Sequence, residues 1–143
     1  MRELTMGNRR FDSLQVQTLA SPQMLTNRLK RLEADGMVER RAYSAKPRRY
    51  EYHLTAKGEA FASVLLALRA WGETWCKEPG EGIAVHHIHK ACGREVGLSG
   101  TVCEGCGEPF TMDAVIGELS PAFAREREDR STAARQVAEA RST

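Results

Sequence analysis

Apolar residues recur at helical spacing through the first part of the chain and then switch to strand spacing. The segment "RRFDSLQVQTLA" (9–20) predicts a short helix carrying Phe11 and Leu14, followed by a turn. In "SPQMLTNRLKRLEADG" (21–36), Leu25, Leu29 and Leu32 recur at steps of four and three, which is one helical face. Ser21 is a good N-cap, and Pro22 takes the first helical position, where a missing N–H costs nothing. Gly36 is placed to close the helix in a left-handed conformation. At about 100° per residue, Gln23, Asn27 and Lys30 point almost opposite the leucines, with Thr26 and Arg31 flanking them.

After Gly36 the period becomes two. "MVERRAY" (37–43) and "RRYEYHLT" (48–55) are rich in strand formers, and Tyr50, Tyr52 and Leu54 alternate with Arg49, Glu51 and His53. The turn-like "SAKP" (44–47) joins them into a hairpin whose tip and flanks carry Arg40, Arg41, Lys46, Arg48 and Arg49. Thr55 then caps a helix expected to run to about Lys77. On it Phe61, Val64, Leu65, Leu68, Trp71 and Trp75 fall within about 120° of arc, with Leu66 well off that face. A stripe this long is more than one small domain buries, so a partner subunit is expected against it.

"EPGEG" (78–82) reads as a linker, followed by a Cys/His segment (83–110) and "TMDAVIGEL" (111–119). Residues 120–143 are Ala, Arg and Glu with few large apolar groups, which predicts a disordered tail or a marginal helix. Three segments result: 1–77, 83–119 and the tail 120–143.

Charge sharpens the division. The 143 residues carry a net +2, but residues 1–58 hold twelve Lys/Arg against six Asp/Glu, and the remainder nine against thirteen. A basic front, net +6, and a mildly acidic back, net −4, suit a polyanion partner for the front. No apolar stretch of signal-peptide type follows Met1, and the longest apolar run, Ala60–Leu68, stops at Arg69, far short of a membrane span. A cytoplasmic location and reduced cysteines are therefore expected, so clustered cysteines read as metal ligands before disulfides.

The order helix, turn, helix, hairpin, helix is that of a winged helix-turn-helix, an α+β fold. Its second helix enters the DNA major groove. Between Ser21 and Leu32 there are three basic residues and no acidic one. A polar helix face is most often merely solvated. Beside a basic hairpin it has a function: Gln23 and Asn27 suit base edges, while Arg28, Lys30 and Arg31 suit phosphates.

The stretches "RELTMGNRRFDSL", "SPQMLTNRLKRLEADGMVERRAY", "RRYEYHLTAKGEA" and "LRAWGE" resemble the HxlR family of winged-helix transcription regulators, in order and with that family's spacing, over residues 1–76. The resemblance implies a homodimer on palindromic operator-type double-stranded DNA, control of nearby genes and no catalysis. By position it places Ser21, Gln23, Thr26, Asn27 and Arg28 on the recognition helix and Lys46, Arg48 and Arg49 in the wing. The family has about a helix and a half before the motif at which this chain starts. Redox-sensing members carry a cysteine there, so that mode of sensing is not carried over. The reading frame is expected to begin upstream of Met1; otherwise a partner's 56–77 helix would cover Phe11, Leu25, Leu29 and Leu32.

"HKACG" (89–93) and "CEGCG" (103–107) are near copies. His89, Cys92, Cys103 and Cys106 form H-x2-C-x10-C-x2-C, which suits four tetrahedral N/S ligands around a structural zinc. Gly93, Gly105 and Gly107 permit the tight turns of two such knuckles. A reduced Cys-bearing hairpin without metal is the alternative. The fourth ligand is open between His89, His86, His87 and Cys76, with His89 favoured because it alone repeats the two-residue spacing. The C-terminal part thus reads as a small zinc-ribbon-like β segment after a long helix. Four protein ligands leave no open coordination position, and no nucleophile–base pair or phosphate loop suggests an enzyme. The rival to a DNA-binding regulator is a zinc-ribbon interaction module whose helical front no longer binds DNA.

Overall fold

The computed structural model describes residues 1–97 and 102–140. Its described residues divide into two compact units, 1–60 with 126–140, and 61–125.

The first unit opens with α1 (Arg2–Thr5), α2 (Phe11–Thr18) and α3 (Pro22–Ala34). The Ser21 hydroxyl accepts the Met24 N–H at 3.3 Å, and Gly36 takes φ +68°, so both ends of α3 are closed as the sequence predicts. Leu4, Leu14, Leu25, Leu29 and Val38 form the buried core. Strands β1 (Val38–Ala45) and β2 (Arg48–Leu54) pair antiparallel from Val38↔Leu54 at the base to Ala45↔Arg48 at the tip, with an irregularity between Ala42 and Ser44. The turn is therefore tighter than the "SAKP" link suggests. Val38 is buried at the base, whereas Lys46, Arg48 and Arg49 at the tip are exposed. The Tyr52 N–H donates to the Arg9 carbonyl at 2.9 Å, and Arg10 bridges Glu51, which adds a third edge to the hairpin.

Helix α4 (Ala56–Ala60) follows, with the Thr55 hydroxyl accepting the Gly58 N–H at 3.2 Å. Gly58 is required here, because a Cβ would sit 2.1 Å from the Met37 carbonyl oxygen. The single 56–77 helix expected from sequence is divided at Phe61, and α5 (Ala62–Trp75) belongs to the second unit. A continuous hydrophobic stripe cannot reveal such a break, since Phe61 itself keeps helical backbone angles.

The tail takes the helical of its two expected forms, with residues Pro121–Ala140 forming α6. Its cover is polar. Arg127 makes two bonds, 2.9 and 2.8 Å, to the Glu3 carboxylate, and Arg130 donates to the Gln17 carbonyl at 3.0 Å. Gln17 in turn donates to the Arg127 carbonyl and to the Ser131 hydroxyl, each at 3.1 Å. Both Glu3 and Gln17 are buried, and such contacts between groups more than a hundred residues apart leave no apolar periodicity to read.

In the second unit, β3 (Val85–His89) and β4 (Val115–Leu119) pair antiparallel from Val85↔Leu119 to His89↔Val115. Val96, Cys103, Phe110 and Val115 are buried together, with Leu66 of α5 packed against them. That explains the leucine lying off the α5 stripe. The stripe itself stays open: Leu68 is 61% and Trp75 74% exposed, and Val64 and Trp71 are exposed beside them.

Candidate DNA-binding surface and metal centre

Helix α3 turns Leu25 and Leu29 inward and leaves Gln23, Asn27, Arg28, Lys30 and Arg31 exposed, with Thr26 half-buried. The Gln23 amide donates to Asn27 Oδ1 at 3.1 Å, so the two amides are held together one turn apart on the outer face. Arg31 pairs with Asp35 at 3.0 Å. Arg28 lies on the flank nearer the leucines. In the hairpin, the Arg40 and Arg48 guanidiniums lie 4.4 and 5.5 Å from the centre of the Tyr50 ring, a stacking that orders both cations, and Arg40 also pairs with Glu33 at 4.0 Å. Sequence reasoning does not pick out Arg10. It sits 4.8 Å from the centre of the Tyr43 ring and pairs with Glu51 at 3.2 Å, bracing the wing from below. Only the bridge from residue 10 to β2 reveals that role.

The two knuckles form as near copies. The His89 N–H donates to the Arg94 carbonyl and the Cys103 N–H to the Glu108 carbonyl, both at 2.8 Å. Gly93 and Gly107 close the turns by donating back to His89 and Cys103 at 2.8 and 2.7 Å, with φ of +67° and +77°. His89, Cys92, Cys103 and Cys106 come together with all four donor atoms within 4.8 Å of one another. His89 Nδ1 lies 3.5 Å from Cys92 Sγ and 3.4 Å from Cys106 Sγ, and Cys92 Sγ lies 3.6 Å from Cys103 Sγ. Tetrahedral zinc, with bonds of about 2.3 Å to sulfur and 2.0–2.1 Å to nitrogen, requires separations of roughly 3.5–3.8 Å, so this donor set fits a metal ion. A disulfide, at about 2.05 Å, is far shorter than the thiol separation seen.

Burial opposes ionisation of the Cys103 thiol, but the N–H groups of Cys106 and Gly105 and the neighbouring thiols outweigh it and bring its pKa to about 7. A ready thiolate is what a metal requires. The alternative fourth ligands lie elsewhere. His86 Nδ1 meets the Glu95 carboxylate at 3.1 Å, and exposed Cys76 ends α5. His87 is half-buried with its pKa lowered, first by desolvation and then by the Arg69 charge.

The family model of HxlR-like helix-turn-helix proteins matches residues 1–79. The chain belongs to the HxlR family. It is similar to the HTH-type regulator Rv3095 of Mycobacterium tuberculosis, 34% identical over 124 residues, which are 86% of this chain and 77% of that one. YodB of Bacillus subtilis, an HTH-type transcriptional regulator, is 36% identical over 78 residues, 54% of this chain and 69% of its own. Among solved structures, the protein PA1607, assigned as a transcription factor, aligns with TM-score 0.62 and 28% identity over 84% of this chain and 81% of that one. PA1374 of Pseudomonas aeruginosa, assigned likewise, aligns with TM-score 0.55 and 34% identity over 90% and 86%. This HxlR-family chain is accordingly a DNA-binding transcriptional regulator and not an enzyme. Among its described residues, no helix is long and apolar enough to cross a membrane.

Proposed function

We propose that this HxlR-family protein works in the cytoplasm as a homodimer on palindromic operator DNA, with α3 in the major groove, the β1–β2 hairpin as the wing, and zinc in the ribbon. The observation that carries the reading is the exposed outer face of α3, free of acidic groups from Ser21 to Leu32, beside a hairpin whose tip carries Lys46, Arg48 and Arg49. Gln23 and Asn27 read base edges, and Ser21 and Thr26 support them at the start of the helix. Arg28, Lys30, Arg31 and the wing cations meet phosphates. Two copies would present two α3 helices about 34 Å apart, one turn of DNA.

Anisotropy titrations over a range of salt test the assignment. The double variant R48A/R49A should weaken binding to every duplex alike and reduce the slope of log affinity against log salt by about two, roughly one for each phosphate no longer neutralised. Asn27→Ala should instead change sequence preference, by about 1–3 kcal/mol at one base pair. Wild-type salt dependence in the double variant would remove the hairpin from the interface.

The dimer reading rests on α5, where Val64, Leu68, Trp71 and Trp75 remain exposed on one face while Leu66 serves the ribbon core. Leu68→Glu places a charge in that seam and should yield monomers by light scattering. An unchanged dimer mass would move the interface elsewhere. Zinc, held by His89, Cys92, Cys103 and Cys106, would be structural, because four protein donors leave no position for a substrate.

A further inference from the structure

Helix α5 has two opposite sides. At about 100° per residue, Ala62, Leu66, Arg69 and Glu73 fall on one of them, and Val64, Leu68, Trp71 and Trp75 on the other. The first side is covered. Ala62 is buried, the Arg69 side chain is only 16% exposed, and Leu66 packs on the ribbon core of Val96, Cys103, Phe110 and Val115. Cys103 belongs both to that core and to the four metal donors. The metal centre and the covered side of α5 therefore share one small core.

Two opposing forces act on this contact. Burial of Leu66 favours it. Arg69 works against it, because Nε, Nη1 and Nη2 are all buried and find no hydrogen-bond acceptor among the described residues. Its counter-charge is Glu95 at 3.8 Å, and that carboxylate already meets His86 Nδ1 at 3.1 Å. A guanidinium taken out of water without hydrogen bonds carries a desolvation cost that is recovered when the ribbon lets go. The contact thus lasts only while the ribbon presents a formed core to Leu66. In so small a segment, the core is formed by the metal.

We propose that the ribbon is a zinc-responsive switch on α5. Loaded with zinc, it docks on Leu66 and Arg69 and holds the pairing helix in shape. Stripped of zinc, it lets go, Arg69 returns to water, and the dimer weakens. Zinc is then an effector of the regulator as well as a part of its fold. The coupling rests on the zinc and homodimer assignments. It runs through the covered side of α5 and is independent of what lies on the open side.

The test compares the zinc-loaded full chain with the same chain stripped by a strong chelator. Elemental analysis gives the metal content, sedimentation the dimer dissociation constant, and hydrogen exchange the protection of the 62–75 amides. Stripping should raise the dissociation constant about tenfold or more and speed exchange along α5, and added zinc should reverse both. Leu66→Ala should still carry one zinc per chain but lose most of this response. Arg69→Met, which removes the desolvated charge, should slow α5 exchange below that of the wild type, and only in the loaded state. A zinc-loaded dimer whose dissociation constant and α5 exchange stay the same on stripping would overturn the proposal and leave the zinc and dimer assignments standing. So would a full response in zinc-bearing Leu66→Ala, or faster exchange in loaded Arg69→Met. A chain that takes up no zinc, or one that is monomeric when loaded, would refute the coupling together with the assignment beneath it, and metal content and sedimentation tell those two failures apart.

Discussion

Replacing Cys103 by serine is expected to strip the ribbon of its metal and unfold it, while the N-terminal winged-helix unit keeps its structure. Cys103 is fully buried and belongs both to the four-donor set and to the small core of Val96, Phe110 and Val115. That core is too small to fold by burial alone. In structural sites of this type the metal supplies much of the folding free energy, about 10–16 kcal/mol in isolated zinc fingers. The expected readout is loss of one zinc per chain by elemental analysis, together with collapse of the amide dispersion of residues 85–97 and 102–119. A strong chelator should act on the wild type in the same way. A wild-type protein purified reduced and without chelator that carries no metal, or a C103S ribbon that stays folded, would contradict the metal assignment.

The second large effect is expected at the ion pair between α1 and α6. The Glu3 and Arg127 side chains are 5% and 15% exposed, and removing one partner of so buried a pair leaves the other uncompensated. Arg127→Met should therefore destabilise the N-terminal unit by about 3 kcal/mol, a large share of the 5–15 kcal/mol that holds a typical domain. Hydrogen exchange of the α1 and α2 amides reports the change. Acid titration adds a signature. Burial alone would raise the Glu3 pKa, but the bonds and charge of Arg127, with Asn8 and Arg2, hold it below 4.5. A depressed folded value means that the stability from Glu3 is present above the unfolded pKa near 4.5 and is lost as pH falls through the folded value. In R127M desolvation dominates, so stability near pH 4 should stop falling or rise. The double variant E3L/R127M should recover part of the loss, since an apolar pair leaves no unpaired charge. A double variant no more stable than R127M would assign the effect to packing.

Legibility in the sequence followed the physics of each element. Helix α3 could be read to the residue because three local signals agree: the Ser21 cap, Pro22, and Leu25/Leu29 at helical spacing. The wing was legible from alternation. The His/Cys cluster was legible because a knuckle is a local device, fixed by two-residue spacing and a following glycine, and the structure brings together the four side chains that the spacing selects. Where stabilisation is long-range and polar, the sequence is silent. Nothing in a string of Ala, Arg and Glu announces that Arg127 reaches Glu3 across the length of the chain, so α6 reads as a tail. The break at Phe61 escapes for the opposite reason, since one apolar stripe runs through it.

The most direct test of DNA reading by this chain is selection of the metal-loaded full-length protein against a random duplex library at fixed salt, followed by affinity measurement on the enriched sequence. The expected result is an enriched palindrome with half-sites about one helical turn apart, bound more tightly than random duplex by a factor of about 10³ or more, with affinity falling steeply as salt rises. A library that emerges without enrichment, or an affinity that does not change with salt, would contradict a regulator that reads DNA through α3 and the wing.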